Sequence, residues 1–80
     1  MLYLYRNCVK ETVGYFEISI AFESHGFGYI AVFDNDTEEN VTQEVFGIED
    51  KAASELVEAS ISNLITAKAW CEGSSRIRRE

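Results

Sequence analysis

Apolar and polar residues alternate without interruption from Tyr15 to Glu23. Phe16, Ile18, Ile20 and Phe22 fall on one side, and Tyr15, Glu17, Ser19, Ala21 and Glu23 on the other. A period of two belongs to a strand with one buried and one wet face, because successive side chains point to opposite sides of the pleat. Ser24, His25 and Gly26 follow as turn residues, so the β-rich run from Phe27 to Phe33 is expected to return antiparallel. Residues 34–40 form a polar, turn-prone connection, and Val41 to Phe46 reads as a further strand ending at Gly47. Leu2 to about Val9 is predicted as another strand, joined to the hairpin by a turn around Lys10 to Gly14.

Beyond Gly47 the period changes. Ala53, Leu56, Val57, Ile61, Leu64, Ala67 and Cys71 recur at three- and four-residue spacings, opposite Lys51, Glu55, Glu58, Ser62 and Thr66. That pattern predicts one amphipathic helix over about residues 50–71, with Asp50 as N-cap and Gly73 as C-cap. The expected fold class is α+β: an antiparallel meander of three or four strands packed against one long C-terminal helix. Residues 1–73 form the single domain in this reading, and 74–80 a flexible basic tail. Eighty residues support only one core.

Composition narrows the function classes. The chain is 46% hydrophobic with a net charge of −7, which is enough apolar material for a folded domain. No apolar run reaches the roughly 18 residues needed to span a bilayer, and the first residues lack the basic start of a signal peptide, so a cytoplasmic location is expected. Cys8 and Cys71 lie far apart with no CxxC spacing, which indicates free thiols rather than a disulfide framework or zinc site. Asp34, Asp36 and Glu38 alternate as in a calcium loop, but Glu39 stands where its turn needs glycine and Val45 where it needs an acid. The only histidine, His25, has no nucleophile at a suggestive spacing. No catalytic residue, metal or cofactor is implied.

The sharpest feature is a gap in charge. Residues 11–50 contain Glu11, Glu17, Glu23, Asp34, Asp36, Glu38, Glu39, Glu44, Glu49 and Asp50, and no Lys or Arg. Such a field repels phosphate backbones, which argues against direct nucleic-acid binding, and it attracts basic protein surfaces. The candidate partner-binding residues are therefore Glu17, Glu23, Asp34, Asp36, Glu38, Glu39 and Glu44. Tyr15 beside Glu17 joins them as an aromatic anchor, and Trp70 is a second aromatic candidate. A homodimer is compatible with this reading.

Strands followed by a helix bearing Ala52-Ala53-Ser54-Glu55-Leu56 resemble the opening half of a ribonuclease-H-like fold, and also the double-stranded-RNA-binding and partial ribonuclease-H-like antitoxin folds. The chemistry of those families does not carry over. The first strand offers Arg6 and Asn7 in place of a metal-binding carboxylate, and Glu49-Asp50-Lys51 replaces the lysine-rich helix start used to bind RNA. As a class, a small acidic α+β chain also resembles phage-encoded inhibitors of the anti-CRISPR type. That resemblance implies a non-enzymatic, phage-encoded binder in the host cytoplasm. It would block a basic nucleic-acid-binding surface of a bacterial defence complex, such as a CRISPR effector. The alternative is an antitoxin-like or regulatory module that neutralises a basic partner.

Overall fold

The computed structural model describes residues 5–23 and 28–78, the side chains of 5–7, 23 and 76–78 excepted. Residues Leu2 to Leu4, the Ser24-His25-Gly26 turn, the Glu23 side chain and residues 79–80 lie outside the described set. The predicted class is observed: a four-stranded antiparallel meander, β1 (Tyr5–Val13), β2 (Phe16–Glu23), β3 (Gly28–Asp34) and β4 (Glu39–Asn40), in the order β1-β2-β3-β4. One face of the sheet is covered by a C-terminal helix.

The alternation in β2 sets the register. Ile18 pairs with Val32 and Ile20 with Ile30, so the inward residues of β2 and β3 stack on one face. Phe16, Ile18, Ile30 and Val32 are buried there. β1 runs to Val13 rather than stopping near Val9, and a two-residue turn at Gly14-Tyr15 returns the chain, with Gly14 at φ 60°. A tight antiparallel turn requires that left-handed conformation, which glycine adopts at no steric cost.

The predicted strand at Val41–Phe46 is instead a short helix, α1 (Thr42–Phe46). Val41, Thr42 and Val45 are buried, and that spacing belongs to a helix face, not to an alternating strand. Asn40 opens the turn through Oδ1, which accepts from the Thr42 amide at 2.9 Å and the Thr42 hydroxyl at 2.7 Å. Gly47 closes it at φ 67°, its amide donating back to Gln43 and Glu44 carbonyls.

The predicted continuous helix over 50–71 is also corrected. Asp50 does cap a helix, accepting from the Ala52 amide at 2.9 Å, but that helix, α2 (Lys51–Ser54), lasts only one turn. Residues 57–59 then run extended along β3: the Ile30 amide donates to the Val57 carbonyl at 2.8 Å, and the Ala59 amide to the Gly28 carbonyl at 2.9 Å. With β4 only two residues long, the first half of β3 would otherwise leave backbone groups unpaired, and satisfying them outweighs local helix propensity.

The main helix, α3 (Ile61–Arg78), is thus shorter than the expected span and starts later. Ser60 caps it by accepting from the Asn63 amide at 3.1 Å. Gly73 does not end it: residues 74–78 are helical where a tail was expected, and the Ser75 hydroxyl accepts from the Tyr15 amide at 3.2 Å. Ala67 and Cys71 bring α3 onto the sheet, while Val41, Val45 and Val57 close the core from the β3 side.

Candidate functional site

The fold divides the nine described acids of residues 11–50 into different surroundings. Glu11 points toward α3, where its carboxylate lies 2.7 Å from Lys68 Nζ. Asp34 is turned inward and only 7% exposed. Its Oδ1 accepts from the Asp36 amide at 2.9 Å and the Thr37 amide at 3.2 Å, which shapes the β3–β4 turn. Of the predicted site residues, Asp34 is therefore an internal brace of the hairpin. Glu17 is half-buried on the uncovered face of the sheet, opposite Thr12 on β1 and Phe33 on β3.

Glu38, Glu39 and Glu44 are the predicted residues that the fold brings together. They line one polar depression with Asn40, Gln43 and Lys51, at the edge where the β3–β4 hairpin meets α1. All three are exposed, and their carboxylates make no ion pair among the described residues. Asp36 is exposed on the adjoining turn, and Glu49 and Asp50 are exposed on the segment leading into α2. Gln43 ties that segment to α1 by donating from Nε2 to the Glu49 carbonyl at 2.9 Å. Lys51 is the one base lining this depression.

Glu38 adopts φ 61°, a left-handed conformation that costs a non-glycine residue about 1 kcal/mol. Its backbone position is held by donation from its own amide to the Asp34 carbonyl at 2.7 Å. The turn thus presents two successive carboxylates, Glu38 and Glu39, where glycine or asparagine would relieve the backbone.

The aromatic candidates are placed differently from the expectation. Tyr15 sits in the β1–β2 turn and packs against the core, not on the wet face beside Glu17. Trp70 packs edge-on to Phe16, with ring centroids 5.1 Å apart and an interplanar angle of 71°. The uncovered sheet face instead carries Ser19, Ala21 and Ala31 between Tyr29 and Phe33, residues the charge pattern did not single out. Their outward direction follows from the same alternation that buries Ile18 and Ile30.

Among the described residues no group of three or more His, Cys, Asp or Glu side chains is arranged to hold a metal ion. Cys8 is exposed, with Sγ 3.4 Å from Ser19 Oγ. Cys71 is buried, and its thiol is pushed up to about 11 by burial, with Glu72 adding to the shift. A thiol so held is protonated at neutral pH and inert as a nucleophile. No described helix is long and apolar enough to cross a membrane. Compared with protein-family models, curated proteins and solved structures, the chain matches none of them.

Proposed function

We propose that this chain is a non-enzymatic protein-binding inhibitor whose acidic edge occupies a basic, nucleic-acid-binding surface of a bacterial defence complex, in the manner of anti-CRISPR proteins. The observation that carries the reading is the convergence of Glu38, Glu39 and Glu44 in one exposed depression, with Asp36 on the adjoining turn. Glu38 and Glu39 come from the hairpin and Glu44 from α1, and they face solvent together with a single lysine among them. A cluster of like charges at one edge raises the local potential, steers basic partners toward it and repels phosphate.

The backbone of Glu38 adds support. Glu38 holds a left-handed conformation at some cost, and the side chain it displays there is a carboxylate, which fits a role in recognition. The test is competition: purified RNA-guided effector complexes are assayed for binding of their DNA targets with and without the protein. The reading expects stoichiometric loss of DNA binding by a susceptible effector, restored when Glu38, Glu39 and Glu44 are changed to lysine. Undiminished DNA binding across a panel of effectors would count against it.

A further inference from the structure

We propose that two copies of this chain pair antiparallel along β1 about a two-fold axis at Val9, joining their sheets into one of eight strands. Among the described residues β1 has a strand neighbour on one side alone, and none of the backbone bonds outside the ladders involves it. The opposite edge of the sheet is closed by β4, by α1 and by residues 57–59. Beyond a register shift between Tyr5 and Asn7, residues 7–13 present roughly 23 Å of regular open edge, a template for a further strand.

For a second copy, symmetry, charge and overlap together narrow the register. A closed pair of antiparallel edge strands requires a two-fold axis perpendicular to the sheet, and because opposite side chains share a face, the axis passes at one residue that faces itself. An axis at Lys10 sets that lysine against the same lysine of the second copy, and an axis at Glu11 does the same with two carboxylates. Like charges directly opposite destabilise a strand pair. An axis at Cys8 runs the pairing into the irregularity between Tyr5 and Asn7, where β1 already shifts register against β2. An axis at Val9, the midpoint of Tyr5–Val13, keeps the pairing of residues 7–11 clear of the register shift between Tyr5 and Asn7, and opposes Cys8 with Lys10 and Glu11 with position 7, with no like charges facing.

The flank of that edge is apolar. Val9 is 54% exposed, Ile61 77% and Ile65 64%. Ile61 and Ile65 lie seven and three residues before Lys68, within about 60° of it around the helix. Lys68 reaches Glu11 on β1, which brings the middle of α3 to the β1 side, while Ile61 borders Ile20, Phe22 and Ile30 of β2 and β3. The exposed acids Glu38, Glu39 and Glu44 lie at the other edge, beyond β3. Pairing through β1 therefore keeps the acidic ends apart, with the two β4 strands about 34 Å from one another across seven strand spacings. A second copy suits this side of the molecule because it covers apolar surface without bringing like-charged clusters together.

The experiment is sedimentation of the full chain over a series of concentrations, alongside Val9→Lys and a cysteine pair test. The wild type is expected to reach twice its 9.1 kDa mass, and Val9→Lys, which alters an exposed side chain, to return to 9.1 kDa while keeping its circular dichroism. For the register, Cys8→Ser with Val9→Cys places two thiols opposite each other at the axis, within the Cα separation a disulfide accepts. Cys8→Ser with Thr12→Cys separates them by roughly 20 Å. Rapid oxidation to a linked dimer for position 9 and not for position 12 supports the pairing. A wild-type mass of 9.1 kDa at every concentration, a dimer that survives Val9→Lys, or equal linkage at both positions overturns it.

Discussion

Thr42 on α1 stands in for a strand: its Oγ1 accepts from the Val32 amide at 2.8 Å, completing the outer edge of β3 where the two-residue β4 has already ended. The same hydroxyl donates to Asn40 Oδ1 at 2.7 Å, and both Thr42 and Val32 are buried. One side chain thereby fastens the helix that carries Glu44 to the sheet, next to the hairpin that carries Glu38 and Glu39.

Thr42→Val keeps the shape and removes the acceptor, leaving the buried Val32 amide without its partner. The expected loss is about 1–3 kcal/mol of unfolding free energy in a urea titration. Thr42→Ser, which retains the hydroxyl, should recover most of it. Equal stability for the valine and wild-type proteins would show that the bond is not holding α1.

Two glycines should respond in opposite directions to alanine. At Gly14 the added Cβ overlaps the Ser75 side chain, and φ is 60°, so Gly14→Ala is expected to cost about 1–3 kcal/mol. At Gly73, within α3, a Cβ meets nothing within 4 Å, and Gly73→Ala should stabilise by about 0.5–1 kcal/mol through helix propensity. Thermal melts of the two variants read both signs at once.

The thiols separate by burial. One equivalent of thiol, Cys8, should react with a disulfide reagent in the native protein, and the second, Cys71, only on unfolding. Because burial, with Glu72, raises Cys71 from 9.0 to about 11, the folded state holds that proton more tightly than the unfolded chain. Its contribution to stability is therefore fully present below pH 9 and is lost as the pH climbs from there through about 11. Cys71→Ala should lack this part of the alkaline slope in denaturant titrations. An unchanged slope would place the alkaline sensitivity elsewhere.

Glu38→Gly separates stability from recognition. Relief of the left-handed backbone at φ 61° should raise the unfolding free energy by about 1 kcal/mol, while loss of one carboxylate weakens capture of a basic partner. A variant that is more stable and binds as well as wild type would remove Glu38 from the binding surface.

The sheet was readable from residue pattern because β2 alternates strictly, and its partner strand follows from Ile30 and Val32 in register. What misled lay where tertiary pairing competes with local preference. Leu56 and Val57 fit a helical stripe, yet the open edge of β3 draws residues 57–59 into an extended run. Val41, Thr42 and Val45 are β-branched and read as strand, although their burial spacing and Gly47 belong to a helix. Ser60 followed by Asn63 was a usable cap signal for the start of α3.

The candidate site was readable in part. The absence of bases from residues 11–50 identified the acids, but not which of them share a surface. Composition cannot distinguish Glu38 and Glu44, which the β3–β4 hairpin and α1 bring to one depression, from Asp34, which is consumed by its own turn, or Glu11, which pairs with Lys68 across the sheet edge. Tyr15 and Trp70 were ambiguous for a related reason: an aromatic at the margin of a stripe can face either way, and here both pack on the core.

The most direct measurement is capture of partners from bacterial lysate by the immobilised wild type and by the Glu38→Lys, Glu39→Lys, Glu44→Lys variant, from 0.1 M to 1 M salt. Over that range the screening length falls from about 10 Å to about 3 Å. The expected result is a basic partner retained at low salt, released as salt rises, and not captured by the variant, which remains folded because the three side chains are exposed. Capture that ignores salt and survives the charge reversal would contradict recognition through the acidic edge.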